Sequence, residues 1–296
     1  MTSRPILEGS EAFAKVRDEL IGSGPAAIGK LGTIELELAY YRFKTKKDQR
    51  PIPEQLLVPL CRNAGMFPPT QETALKMADE LLTSLLYFSV TSPWWAVPQS
   101  LELYNTLSRS AKFVTLQALE CFLSPNPDHW WTASIPSNTK VLIISPFSSS
   151  IERQIPNLDK IWASRPGLWN PTTKFQTIKF PLSYGTQSQE IQKEMTDRWS
   201  DSLGLLAYVK EQMDSLDYDI AMIGAGIYSL PLMAFAKQRG KKAIHLGGST
   251  QLFFGIRGGR WDTMADFQPL FNEHWIRPAL EERPVNYTSV EKGCYW

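Results

Sequence analysis

Three short segments follow runs of strand-forming side chains: SPFSSS (Ser145–Ser150) after VLII, GAGIYS (Gly224–Ser229) after IAMI, and GGSTQ (Gly247–Gln251) after AIHL. At the carboxyl end of a buried parallel strand, the free amides of the next helical turn can face an anion such as a diphosphate, and glycine lets a ligand approach the backbone. Each segment also has a simpler explanation. GAGIYS carries Ser229 where a full GxGxxG turn has its third glycine, so a tight strand-to-helix turn without a ligand fits it equally well. Ser148, Ser149 and Ser150 can cap a helix. The coincidence of three such turns at successive strand ends favours a phosphate-bearing ligand. FFGIRGGRWD adds Arg257 and Arg260 on a glycine-rich loop, a combination that clamps phosphates or forms a solvated turn.

Carboxylates are the candidates for proton transfer. GKLGTIELE puts Glu35 just after a glycine turn, with Glu37 two residues on. Glu35 there suits a general base toward a hydroxyl, or an oxygen ligand of a divalent cation; a helix N-terminus also favours glutamate on electrostatic grounds alone. Two tryptophan pairs, Trp94-Trp95 and Trp130-Trp131, lie in proline-rich turns, where indoles either pack in a core or stack on the apolar face of a sugar or base. Asp128 and His129 stand beside the second pair as alternative polar or basic groups. The closing NEHWIRP and VEKGCYW segments stay aromatic to the last residue, which predicts a tail docked on the domain.

The elements that must position these groups read as a doubly wound α/β arrangement. From Thr139 the pattern is strand, turn, helix repeatedly: TKVLIIS, FQTIKFP, a long polar helix QSQEIQKEMTDRWSDSLGLLAYVKEQM, DIAMIG, IYSLPLMAFAKQRG and KKAIHLGG. Unbroken apolar runs suit strands buried on both faces, with helical crossovers between them. A further strand near Ile28 joins the same sheet on this reading. ETALKMADELLTSLLYFSV and LELYNTLSRSAKFVTLQALECFL space apolar residues by three and four, as helices do. Residues 51–138 are therefore expected as a helical insertion in one domain spanning 1–296.

Composition narrows the partners. With 31 basic and 30 acidic side chains the net charge is +1, which offers no field for a nucleic-acid backbone or an anionic membrane. The N-terminus turns charged before any signal-length apolar run, and no window reaches transmembrane length. Three widely spaced cysteines and three histidines suggest neither a disulfide frame nor zinc. A soluble, cytoplasmic protein is expected.

The tract DIAMIGAGIYSLPLMAFAKQRGKKAIHLGGSTQLFFGIRGGRW, with VLIISPFSSSIERQ, NEHWIRP and VEKGCYW, resembles glycosyltransferases of bacterial polysaccharide clusters and large DNA viruses. More distantly it resembles the GT-D-fold glycosyltransferases, whose founding member glucosylates a streptococcal adhesin glycan. The resemblance covers Thr139–Trp296 well, Ala26–Arg42 moderately and residues 51–138 thinly. It implies a Rossmann-like site at about 139–296 for a nucleoside diphosphate sugar, a UDP-sugar by preference. It also implies transfer of a hexose or pentose to a hydroxyl of a glycan or glycoprotein, with inversion.

On that resemblance, donor binding falls to Lys30, Gly32 and Thr33; to Ser145, Pro146, Phe147, Ser148 and Ser150; to Gly224, Ala225, Gly226 and Tyr228; and to His245, Gly247, Gly248, Gln251 and Arg257. Glu35 is the base, with Asp128 and His129 as alternatives, and Trp94, Trp95, Trp130 and Trp131 form the acceptor platform. The family's RFGDGE motif, whose Asp-x-Glu element is tied to a metal, corresponds to KLGTIE here: Glu35 matches, but Thr33 stands at the aspartate position. One carboxylate and a threonine make a poor Mn²⁺ or Mg²⁺ site, so no metal is assigned. Two other readings remain open. An NAD-dependent oxidoreductase would want the third glycine and an acidic end to the second strand, where this chain has His245-Leu246-Gly247. A non-catalytic carbohydrate-binding protein would account for the tryptophans but not for the strand-end glycines.

Overall fold

The computed structural model describes residues 4–48, 50–94, 97–183 and 189–296. Its strands are β1 (Ile6–Leu7), β2 (Ala26–Gly29), β3 (Val90–Thr91), β4 (Lys112–Val114), β5 (Lys140–Ser145), β6 (Lys174–Lys179), β7 (Ile220–Ile223) and β8 (Lys242–His245). They form one sheet in the order β1-β4-β3-β2-β8-β7-β5-β6, with β1 and β6 at its edges. Every pairing is parallel, so all carboxyl ends emerge along one rim. The apolar runs do what their composition requires: Leu142 and Ile144 of β5 enter one core layer, Val141 and Ile143 the other. This is the doubly wound parallel α/β sheet expected from the sequence. The strand expected near Ile28 is β2, in the middle of the sheet.

The helices are α1 (Gly9–Ile21), α2 (Thr33–Thr45), α3 (Glu54–Ala64), α4 (Gln71–Ser84), α5 (Val97–Leu107), α6 (Leu116–Leu119), α7 (Trp131–Ser134), α8 (Ser148–Gln154), α9 (Leu158–Ile161), α10 (Gln189–Trp199), α11 (Ser202–Ser215) and α12 (Ser229–Gln238). One sheet face is covered by α2–α5 and α10–α12, the other by α1, α6–α9 and the 3-10 segment Gly247–Phe254. The consequence for a ligand lies at β8. Its chain continues onto one face, while its neighbours β2 and β7 continue into α2 and α12 on the other. Such a divergence opens a crevice at the strand ends. Close pairing matters here too, because a Cβ on Gly29 would lie 2.8 Å from the His245 carbonyl oxygen.

Two expectations need correction. Residues 51–138 are not purely helical: they contribute β3 and β4 to the sheet. The helical period of LELYNTL stops at Leu107 because Arg4 holds the chain there. Its guanidinium donates to the carbonyls of Tyr104, Ser108 and Ala111 at 2.8, 2.9 and 2.8 Å, satisfying acceptors that a helix end leaves open. The long polar helix also divides, into α10 and α11. Ser200 takes a left-handed φ of 62°, and the Asp201 carboxylate accepts from the Gly204 N–H at 2.8 Å, capping a new helix.

The aromatic tail docks as expected. The Gly259 and Arg260 N–H groups donate to the Trp296 and Cys294 carbonyls at 3.1 and 2.9 Å, and Trp296 Nε1 donates to the Glu282 carbonyl at 2.7 Å. No described helix is long and apolar enough to cross a membrane. Replacing Arg4 with alanine should cost about 2 kcal/mol, the scale of charge-assisted hydrogen bonds to buried acceptors. Urea denaturation measures this, and a loss below about 0.5 kcal/mol would show that the α5 end needs no such brace.

Candidate active site

Where β2 and β8 lie side by side, the strand-end rim opens into a cavity of about 530 Å³, within the range of small-ligand sites. The β2 end contributes Lys30, Gly32, Thr33 and Glu35; the β8 end contributes His245, Gly247, Gly248 and Gln251. Gly224 and Gly226 after β7, and Ser145 and Phe147 after β5, complete the sheet side. Trp94 after β3 and Glu120 after β4 close another wall, and Arg260, Trp261, Glu291 and Tyr295 come from the C-terminal segment. Glycine is required at two of these places for the protein's own packing. A Cβ on Gly248 would lie 2.5 Å from the Tyr295 ring, and one on Gly224 would lie 2.8 Å from Thr250 Oγ1. Gly247 differs: it takes φ +62°, and an added Cβ would meet nothing nearer than Lys30 Nζ at 3.6 Å.

The charges share a recess in which enclosing protein, more than direct contact, removes water. Lys30 has no ion pair among the described residues; its Nζ lies 4.5 Å from the centre of the Trp94 ring. Burial lowers its pKa, Glu120 and Glu35 oppose that shift, and Arg260 reinforces it. Glu35 sits at the third position of α2. Its carboxylate folds back on the first turn, since a Cβ on Gly32 would strike Oε2. Burial raises its pKa against the pull of its own backbone N–H and of Lys30. Glu120 is likewise raised by burial, opposed by the Ser249 hydroxyl, Lys30 and Arg260. Arg260 pairs with Glu291, and its guanidinium carbon lies 5.0 Å from the Tyr295 ring centre.

His245 is held neutral. Burial, aided by Lys30, drives its pKa down to about 3, while Nδ1 lies 3.1 Å from the Ile223 carbonyl. Nδ1 also lies 3.3 Å from the Gly247 N–H, which donates to it when Nε2 carries the proton, and no described residue takes Nε2.

The cavity gathers Lys30, Gly32, Thr33, Glu35, Trp94, Ser145, Phe147, Gly224, Gly226, His245, Gly247, Gly248 and Gln251 from the residues expected by sequence. It leaves the others elsewhere. Trp130 and Trp131 are core residues, 3% and 1% exposed, with indole N–H groups donating to the Ser124 and Leu119 carbonyls. Asp128 and His129 form a surface turn, where His129 stacks on Phe13 at 4.1 Å and bonds Ser124. Tyr228 is buried with its hydroxyl 2.8 Å from the Gly65 carbonyl and Ser202 Oγ. Ser150 binds Glu282, and Pro146 and Ser148 sit behind the lining. The Ala225 N–H donates to Ser229 Oγ at 2.8 Å, so the serine at the third-glycine position turns that amide away from a ligand. Arg257 is tied to Asp262, together with Arg277, and lies over Phe271; Arg260, three residues on, is the arginine that reaches the cavity. Trp95 falls outside the described residues. Sequence reasoning missed Glu120, whose place depends on a strand hidden inside an apparent helix.

The donor set does not fit a divalent cation. No group of three or more His, Cys, Asp or Glu side chains converges among the described residues. The carboxylates of Glu35 and Glu120 instead share the cavity with the Lys30 ammonium, whose charge acts on both.

No family model matches the chain, and no curated protein matches it. Among solved structures it is similar to a glycosyltransferase of the DUF1792 type from Streptococcus sanguinis, at 12% identity and a TM-score of 0.44, over 93% of this chain and 100% of that one. A DUF1792 domain described as having a distinct glycosyltransferase fold gives 11% identity and a TM-score of 0.41, over 93% of this chain and 95% of that one.

Two measurements check these placements. Tyr228→Phe should destabilise the fold by about 1 to 3 kcal/mol, because it strands buried partners, and should leave turnover unchanged; a selective loss of turnover would return Tyr228 to the site. His245 binds its proton less readily in the folded state (about 3) than an ordinary imidazole does (6.5), so its contribution to stability is present above the unfolded value and is lost as pH falls below it. Subtracting the stability-versus-pH curve of His245→Asn from that of the native chain should isolate this slope, and a flat difference would contradict a buried neutral imidazole.

Proposed function

We propose that the chain is a glycosyltransferase that moves a sugar from a nucleoside diphosphate sugar, a UDP-sugar in the first instance, to a hydroxyl of a glycan. One observation carries the reading: Lys30, Arg260 and the open backbone of Gly247 meet two half-buried carboxylates in one cavity at the switch between β2 and β8. A departing nucleoside diphosphate develops negative charge, which fixed cations in a recess of low dielectric stabilise strongly. Glu35 and Glu120 are both placed to take the acceptor proton. Trp94, 37% exposed at the mouth, offers a face for a sugar or base. The sequence resemblance to GT-D glycosyltransferases supports the same reaction class.

In a direct displacement, the acceptor oxygen attacks the anomeric carbon as the bond to the diphosphate breaks, and configuration inverts. Lys30 takes the place of a metal in this scheme. The three cysteines are buried and none forms a disulfide, which suits the reducing cytoplasm where such donors are found. An oxidoreductase fits less well, because β8 ends in a neutral histidine rather than an acid for a ribose.

Thermal-shift titration against UDP, GDP and NAD discriminates the readings, because only ligands of the folded state raise its melting temperature. UDP should stabilise the protein and Lys30→Ala should abolish that shift; stabilisation by NAD alone would overturn the proposal. Hydrolysis of the preferred nucleotide sugar should survive EDTA, and loss of activity restored by Mn²⁺ would show that Lys30 does not replace an ion.

A further inference from the structure

Two carboxylates share the cavity with Lys30, and their surroundings differ. Glu35 is committed to its own helix: its carboxylate lies over the first turn of α2, against the cap residue Gly32. A carboxylate in that position stabilises the helix terminus and gives up lone pairs to do so. Glu120 follows α6, at the end of the chain segment leaving β4. It forms no ion pair within 4.0 Å among the described residues, yet both cavity cations act on it. Ser249, on the segment after β8, lines the cavity beside it and donates its hydroxyl to the Leu246 carbonyl at 2.7 Å.

We propose that Glu120 is the catalytic base of the transfer, and that Glu35 is a positioning residue that holds the start of α2 and Lys30. The inference rests on the nucleotide-sugar reading above. In the step, the acceptor O–H bond breaks and its proton passes to a Glu120 carboxylate oxygen. The new bond from the acceptor oxygen to the anomeric carbon forms as the old carbon–oxygen bond breaks, and its electron pair leaves with the nucleoside diphosphate. Lys30 and Arg260, which line the same cavity, meet that charge. Burial favours the protonated form of Glu120, which makes it a stronger base than an exposed glutamate. The groups that set its titration are Lys30, Arg260 and the Ser249 hydroxyl, with Glu35, His245 and Glu291 lining the same cavity.

Donor hydrolysis tests this without knowledge of the acceptor, since water also needs a base whereas azide, already an anion, does not. Glu120→Gln should lower the hydrolysis kcat by about 100-fold or more and leave the Kd for donor within about threefold. Azide should restore turnover of the donor in this variant as the glycosyl azide. The native kcat should fall as pH drops through a value above the ordinary carboxylate range, and Glu120→Gln should lose that limb. Glu35→Gln should keep the limb and show no azide rescue. If azide instead rescues Glu35→Gln, or Glu120→Gln hydrolyses normally, the assignment is overturned. Glu120→Asp serves if the amide variant misfolds: it should keep the acid limb at reduced kcat, and undiminished kcat would count against the proposal. Failure of every nucleotide sugar to bind the native chain would sink the glycosyltransferase reading itself, an outcome distinct from normal binding with an unaffected Glu120→Gln.

Discussion

The parallel pairing of β2 with β8 is the constraint from which the rest of the cavity follows. It joins residues more than two hundred positions apart in register, Ala26 to Lys242 through Gly29 to His245. It is also tight enough that only glycine fits opposite the His245 backbone. Because all described strands run the same way, the pairing delivers the chain after β2 and the chain after β8 to the same rim. Their divergence onto opposite faces keeps the space between them unfilled. The glycine turns that line the space serve this geometry first, for Gly224 and Gly248 are required by neighbouring protein atoms.

The cavity is also where the molecule keeps its uncompensated charge. Elsewhere ion pairs are largely solvent-exposed, as with Lys76–Glu72 or Arg239–Asp214, and such pairs contribute little to stability. Around Lys30 the balance differs: an ammonium, two carboxylates pushed toward neutrality and an imidazole held neutral are enclosed together. Burying such groups costs stability unless they are well paired. A ligand with a negative diphosphate would relieve the strain on the cations, which is the thermodynamic basis for expecting tight donor binding.

Much of the sheet was legible in the sequence, because VLII and IAMI are long enough to exclude a half-exposed element. The two- and three-residue strands β3 and β4 were not, since their residues continue a helical period until Arg4 and the sheet impose another conformation. At the site, the strand-end glycines could be read from the chain, as they mark backbone that must approach something closely. The sorting of side chains around them could not. Arg257 and Arg260 share one glycine-rich loop, and only the position of Asp262 decides which turns inward. Trp94 and Trp130 sit in similar proline-rich turns, yet one reaches the cavity mouth and the other fills the core. Glu120 is invisible to any motif, because β4 alone carries it to Lys30.

The two edges of the sheet carry a separate consequence. β1 is two residues long, and β6 begins and ends in exposed lysines, Lys174 and Lys179. Short or charged borders give an incoming strand too few hydrogen bonds and too much repulsion to add on. The same architecture that gathers every carboxyl end at one rim therefore resists fibre-like stacking of one molecule on the next.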